Sequence, residues 1–492
     1  MKNIFRQVYQ YLEIILKVAL AGALFVAAWT GLTPYFRMNR NLEGDRFRNL
    51  PADSIDVLAL GSSHMQYAFN PSIFYANTGY YSYVLGSSCQ PMSMSYSLLK
   101  EALKTQHPSV VLLDVFTLLQ QSSVCYADGM YYLAMQEMTG RTWYEAADQV
   151  PDPGVALNYK YDLLMNHGNW KTMDFSNPRA ILDAAKPATD YDWTLGYVRQ
   201  EPEDLRYLPL ITYQRTEKVS LSDAEKQQLD QIINLCDEKN IKLIFLKTPY
   251  IIDQEDTNKL DAIWDYLDSR GQPHLDFIQM AADLKWFIGM DGDTWHNNSW
   301  GANIITSYLA KYIQDGGYIR NHSDHEVLTD LLQKAGRVTA YSLLGPKNLD
   351  IYELLNQVTK YPCTLLVRYS GSAYFPIGEY ENGLLQSVGI SRDFLKDPRQ
   401  DYYAVIRDGK VVQEGDQPLI TTVSGHSVAL SADGIEIDQK AADADPGQLE
   451  LVFAADDFSW INPIGIEPAQ YGFWKKGCYS WSCGAEAAPA KK

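Results

Sequence analysis

The chain has 492 residues, enough for two or three domains at roughly one per 150 residues, and 46% of them are hydrophobic, as in an ordinary globular protein. Its net charge of −18, with no local run of lysine and arginine, excludes a duplex nucleic-acid partner, whose phosphates demand basic side chains. Six cysteines over this length exclude a disulfide-built scaffold.

The first element is apolar. From Val18 to Phe36 there is no charged residue, and Ile14, Ile15 and Leu16 precede Lys17. The run reaches the roughly 20 residues that span a bilayer. Trp29 and Tyr35 suit the interface at its far end. Residues 1–40 therefore read as an uncleaved membrane anchor. A cleaved signal peptide is the rival reading, because Ala19, Ala21 and Ala23 offer small-residue sites. Lys2 and Arg6 precede the span, but Arg37, Arg40, Arg46 and Arg48 follow it. The positive-inside count thus argues against an outside C-terminus, although a long following domain can override it.

After a polar connector, Ile55 to Leu60 is an apolar run of strand length that ends in Gly61-Ser62-Ser63-His64. A second candidate strand, Tyr80 to Leu85, leads to Gly86-Ser87-Ser88. Met94 to Thr105 carries apolar residues at helical spacing and stops at His107-Pro108. Ser109 to Phe116 reads as a buried strand. Between Thr117 and Ser220 the alternation breaks down, and aromatics abound: Tyr131, Tyr132, Trp143, Tyr144, Trp170, Tyr191, Trp193, Tyr197 and Tyr207. This stretch is too long for a plain connection and reads as an inserted lid or substrate-facing subdomain. Its aromatics can stack on sugar rings, but they also fill cores.

Ser222 and Glu225 form a capping-box signature that opens a helix through Cys236. Ile241 to Leu246 is another buried strand, and Leu275 to Ile278 a short one. Asp293-Thr294-Trp295-His296 precedes a last helix, Ser299 to Ile313, stopped by Gly316-Gly317. Alternating helices and nearly continuous apolar strands predict an α/β domain over residues 50–320, a parallel sheet covered on both faces, with the insertion at 117–220.

Beyond Asn321 the texture changes. A helix is expected over 349–358 and a strand over 364–367. Tyr402 to Ile406 and Lys410 to Val412 flank a hairpin turn at Asp408-Gly409. Further β-like runs follow at 427–430, 434–437 and 449–453. Residues 325–475 read as a separate β-rich mixed domain, and 477–492 as a disordered tail. Cys478 and Cys483 lie close enough to pair in an oxidising compartment. No Cys/His cluster has zinc spacing, and the His322–His325 pair in its polar linker is read as chance rather than a metal site. No metal or organic cofactor is implied.

Two motifs carry chemistry. A serine hydroxyl is a weak nucleophile that needs a base at its side. Gly61 allows a sharp turn after the first strand and would project Ser63 above the sheet edge, where α/β sheets bind ligands. His296 would be the base, and Asp293 would hold its tautomer. His64, adjoining Ser63, is the alternative base. Each motif alone is weak: Gly-Ser-Ser is a common turn, and a serine there often only caps a helix.

In order and context, residues 50–318 resemble the SGNH/GDSL hydrolase superfamily. Gly61-Ser62-Ser63 resembles its first block, with Ser63 at the nucleophile position. Leu85-Gly86-Ser87-Ser88 is similar to the second, whose glycine N–H joins the oxyanion hole. Asp293 and His296 match the last. The GSSH motif and the run SCQPMSMSYSLLKEAL are similar to membrane-anchored bacterial relatives that modify cell-envelope polymers, such as the D-alanyl-lipoteichoic acid biosynthesis and alginate acetylation proteins. The third block departs: Asp114-Val115-Phe116-Thr117 lacks the usual asparagine, so one oxyanion donor is missing or comes from elsewhere, such as Gln90 or the lid. The segment 335–455 resembles the interleukin-like EMT inducer domain through LLVRYSGSA, LLQSVGI, YYAVIRDGKVV and GIEIDQ, which implies an accessory, glycan-binding module.

The resemblance implies a single-pass plasma-membrane protein with its catalytic domain extracytoplasmic. It would be a serine esterase or O-acyltransferase acting on a cell-surface glycan or acylated polymer, with Ser63, His296 and Asp293 as triad and the N–H groups of Ser63 and Gly86 as oxyanion hole. A membrane-bound O-acyltransferase is a candidate partner. The rival from another class is a non-catalytic SGNH-like scaffold that binds an envelope polymer or such a partner.

Overall fold

The computed structural model describes residues 2–37, 42–119, 128–200, 210–286, 290–344, 355, 363–371, 377–442, 447–455, 458, 461–469 and 472–478. The chain forms two compact units. One comprises Met1–Leu50, Ser87–Thr105 and Gln121–Asp192; the other comprises Pro51–Gly86, Gln106–Gln120 and Trp193–Lys492.

The second unit holds a five-stranded sheet of β1 (Val57–Gly61), β2 (Ser82–Gly86), β3 (Val110–Asp114), β4 (Lys242–Lys247) and β5 (His274–Asp276). The strand order is β2-β1-β3-β4-β5, and every pairing is parallel. β1 to β3 are buried along their whole length, as strands covered on both faces must be. That is why they read as continuous apolar runs rather than alternating ones. The chain leaves β1 for one side of the sheet and returns through β3 on the other. The strand order therefore reverses at the C-terminal end of β1, the place where open α/β sheets form a binding crevice. On one face the helices Pro71–Thr78 and Ser299–Asp315 pack together, with Ile305, Leu309 and Ile313 joining Val57, Ala59 and Val84 in the core. The expected capping box opens the helix Asp223–Glu238: Ser222 Oγ accepts from the Glu225 amide, and the Glu225 carboxylate accepts from the Ser222 amide.

The same unit carries two antiparallel sheets. One has six strands in the order β15-β14-β13-β6-β7-β8, namely β6 (Thr364–Tyr369), β7 (Tyr402–Arg407), β8 (Lys410–Gly415), β13 (Leu449–Ala454), β14 (Ile461–Ala469) and β15 (Gly472–Cys478). The other, β12-β11-β10-β9, has β9 (Leu419–Val423), β10 (His426–Ser431), β11 (Gly434–Ile437) and β12 (Lys440–Ala441). Leu366, Val405, Val428, Leu430 and Val452 form their shared core. Asp408 and Gly409 turn the expected hairpin with φ of 51° and 71°, which is the type I′ geometry that Asp-Gly favours. The sequence reading missed β14, whose Pro463 and Pro468 argue against a central strand. The helix expected at 349–358, the Cys478–Cys483 pair and the tail lie wholly or largely outside the described residues.

The first unit is helical. Its helix Lys2–Phe36 contains a 26-residue segment, Tyr11–Phe36, long and apolar enough to cross a membrane. The insertion is a set of short helices rather than a sheet extension: Asp128–Met135, Gly140–Ala147, Pro153–Lys160, Leu163–Asn166, His167–Thr172 and Pro178–Ala184. No single periodicity runs through turns this short, which is why the sequence read there as broken. Cys89 in this unit is disulfide-bonded.

Candidate active site

Strand β1 delivers the first group. Gly61 has φ of 153°, a conformation that side chains rarely adopt, and a Cβ there would press on Asp114 and Met65 at 3.1 Å. Ser62 then caps the helix Ser63–Ala68, its Oγ accepting from the His64 amide at 3.3 Å. Ser63 is the first residue of that helix. Its N–H has no acceptor within the helix.

The D-x-x-H segment delivers the rest. Asp293 Oδ1 accepts from the Trp295 and His296 amides, both at 2.7 Å, which folds the four residues into a tight turn. Its Oδ2 accepts from His296 Nδ1 at 2.9 Å. A carboxylate can only accept, so Nδ1 holds the proton and Nε2 is left as acceptor. Ser63 Oγ donates to that Nε2 at 2.8 Å. Burial pushes the Asp293 carboxyl up, but the bonds from the His296 ring and the two amides outweigh it and hold it below its usual range. All three residues predicted to act together are therefore brought into one hydrogen-bonded chain.

The turn is clamped from behind. Asn297 donates to Pro249 O at 2.9 Å and to Asp291 Oδ1 at 3.1 Å, and Gly292 N donates to His296 O at 2.7 Å. Burial pushes Asp291 up to about 7, with the Asn297 amide acting in the opposite direction.

Gly86 ends β2 in register with Gly61. A Cβ at Gly86 would lie 2.5 Å from Gly61 O, so the two backbones can meet only with glycine here. Gln66 donates to Gly86 O at 2.9 Å and fixes the peptide. Gln90, the suggested replacement donor, belongs to the first unit, where its Nε2 donates to Ser95 and its Oε1 accepts from Ser87. At the third block, Asp114 is committed to structure: Oδ1 accepts from Phe116 N at 2.9 Å and Oδ2 from Thr248 N at 3.2 Å.

His64, the alternative base, has other partners: the Ser63 hydroxyl bonds His296. Its ring stacks on Phe116 at 3.5 Å between centroids, and its Nδ1 accepts from Lys247 Nζ at 3.1 Å. Lys247 is wholly buried at the end of β4, donating also to Thr248 O at 2.8 Å, with Asp114 Oδ2 at 3.6 Å. Burial, then the Lys247 charge, hold His64 well below its ordinary value, so its imidazole is neutral. With Nδ1 accepting, its proton sits on Nε2, a buried atom without a hydrogen-bond partner among the described residues. The sequence reading missed this cluster. Lys247 lies inside an apolar strand run, and a lysine at a strand end is ordinarily a solvent-facing residue.

The aromatics beside the triad also differ from those singled out. Tyr67 packs on the His296 ring at 4.6 Å, and Trp295, 42% exposed, stacks over Tyr250 at 6.0 Å. Of the insertion aromatics named from the sequence, only Trp193 and Tyr197 belong to this unit among the described residues, and Tyr197 is buried near Ser299. His322, set aside as a ligand, bonds Asp56 Oδ2 at 2.8 Å. Comparison of the chain with protein-family models and with curated proteins finds no match.

Proposed function

We propose that the chain is an SGNH-type serine esterase or O-acyltransferase. The observation that carries this is the continuous chain from Ser63 Oγ through His296 to Asp293 at the point where the strand order reverses. Ser63 Oγ attacks an ester carbonyl while His296 Nε2 takes its proton. The N–H groups of Ser63 and Gly86 are the donors for the oxyanion. The imidazolium returns the proton to the leaving alcohol, and the acyl group stays on Ser63. Water or a second hydroxyl then attacks, again deprotonated by His296. Hydrolysis and transfer share every residue up to that acyl-enzyme.

The anchor reading places the enzyme at a membrane with its large domain extracytoplasmic. The apolar helix Tyr11–Phe36 supports it, and so does the disulfide at Cys89, since disulfides persist in oxidising compartments. An acylated cell-surface glycan is the substrate class this implies, and the exposed Trp295 beside the triad offers a face on which a sugar ring can stack.

A second reading, a non-catalytic scaffold that binds an envelope polymer or a membrane-bound O-acyltransferase, draws support from the segment Asp114-Val115-Phe116-Thr117, which lacks the asparagine that the resemblance implies. Turnover of a small aryl acetate separates the two. Ser63→Ala should abolish it and Ser62→Ala should leave much of it, because Ser62 is only a helix cap. Equal loss in both variants, or full activity without Ser63, rejects the proposal.

A further inference from the structure

The insertion exposes large apolar side chains that a soluble surface would cover. Leu157 is 52% exposed, Trp170 51%, Phe175 64% and Leu182 53%, with Leu164 and Met165 above 40%. Leu157, Leu164, Met165 and Trp170 lie on consecutive segments that touch: Pro153–Lys160 meets Leu163–Asn166, which meets His167–Thr172; Phe175 follows, and Leu182 lies on Pro178–Ala184. Exposed apolar side chains gathered in this way mark an interaction surface rather than scattered surface residues.

The same segments are fastened to the end of the apolar N-terminal helix. That helix packs against Leu163–Asn166, His167–Thr172 and Pro178–Ala184. Asn169 Nδ2 donates to Phe36 O at 2.8 Å, satisfying a carbonyl of the helix's last turn. Arg37 pairs with Asp162 and lies over the Trp143 ring at 4.2 Å. A cavity of about 260 Å³ at this junction is lined by Trp29, Trp143, Arg37 and Lys160, tryptophan and basic residues of the types that favour the headgroup level, together with Thr33 and Asp162. Upstream, Leu16, Val18, Leu20, Leu24 and Phe25 are all 60% or more exposed, as lipid-facing side chains are.

We infer that residues 153–184 form a membrane-interfacial platform, whose exposed apolar side chains enter the bilayer surface beside the point where the anchor leaves it. The inference rests on the membrane-anchor reading of the N-terminal helix, because the attachment to Phe36 and Arg37 fixes the platform at the depth of that helix end. Arg179, 92% exposed at the side chain, and Lys186 can reach headgroups from the rim. The occupant is the lipid bilayer itself. A second apolar protein surface is the alternative that the test excludes.

The test uses the full-length protein in vesicles of phosphatidylcholine with a fraction of phosphatidylglycerol, loaded with a carbene-generating photolabel that partitions into the bilayer. After irradiation, labelled peptides are mapped by mass spectrometry. Label in 11–36 and in 153–184 is the expected result. Label in 11–36 alone overturns the platform and leaves the anchor standing. No label in 11–36 overturns the anchor reading and the platform with it.

Discussion

Two histidines stand 5.6 Å apart between ring centroids beside Ser63, and they are built for opposite ends. His296 is partly exposed, held by a carboxylate on one side and open to the serine hydroxyl on the other. His64, next to Ser63 in sequence, is buried, held by an ammonium and stacked on Phe116. A carboxylate stabilises the charge an imidazole gains when it takes a proton; an ammonium opposes it. The residue far away in sequence is thus equipped to be a base, and the adjacent one to remain a neutral part of the core.

The largest expected effect comes from exchanging alanine for each histidine in turn. His296→Ala should lower kcat on an aryl acetate by roughly 10⁴- to 10⁶-fold, as loss of the base does in serine hydrolases. His64→Ala should change kcat by less than about tenfold. It should instead lower stability by roughly 2–4 kcal/mol, because it opens a cavity against Phe116 and leaves Lys247 short of an acceptor. Loss of turnover in His64→Ala with a folded chain and an active His296→Ala would invert the comparison.

Asp293→Asn sharpens it. The change keeps the shape and removes the charge that favours imidazolium, so kcat should fall by as much as about 10⁴-fold with little change in melting temperature. Steady-state kinetics and a thermal melt of the same preparation check both halves. A variant with parental kcat would mean that the D-x-x-H turn only positions the backbone.

The smallest effect concerns the clamp behind the turn. Asp291 sits at about 7 in the folded chain, against about 3.9 when unfolded. Between these values the folded state keeps a proton that the unfolded state has released, so this group's contribution to stability falls as pH rises from about 4 to about 7 and is level above that. Asp291→Asn removes that loss. Its melting temperature should match the parent near pH 4 and exceed it near pH 8, by up to roughly 2–4 kcal/mol of stability. Melts of both proteins across that range test the sign; a variant less stable at pH 8 than at pH 4, relative to the parent, contradicts it.

The legible part of this molecule is the part where one periodicity rules. The strands at 57–61, 110–114 and 242–247 announce themselves because burial on both faces requires unbroken apolar runs. The helix at 223–238 announces itself through its capping box. Ser63, Asp293 and His296 are legible because the turn chemistry that aims them is written in the same few residues. Lys247, Asp114 and His64 were not, since their meaning lies in contacts between three separate strand ends, and an alternating or capped pattern carries no trace of such contacts. The insertion's helices were hidden for a different reason: four to eight residues with several aromatic side chains do not establish a period.

The most direct test of the account is covalent. Wild-type protein treated with a fluorophosphonate serine probe should gain one adduct, located on Ser63 by mass spectrometry, and labelling should vanish in Ser63→Ala and drop sharply in His296→Ala while persisting in His64→Ala. Adducts on another serine, or none on a folded wild-type chain, would contradict the claim that His296 activates Ser63.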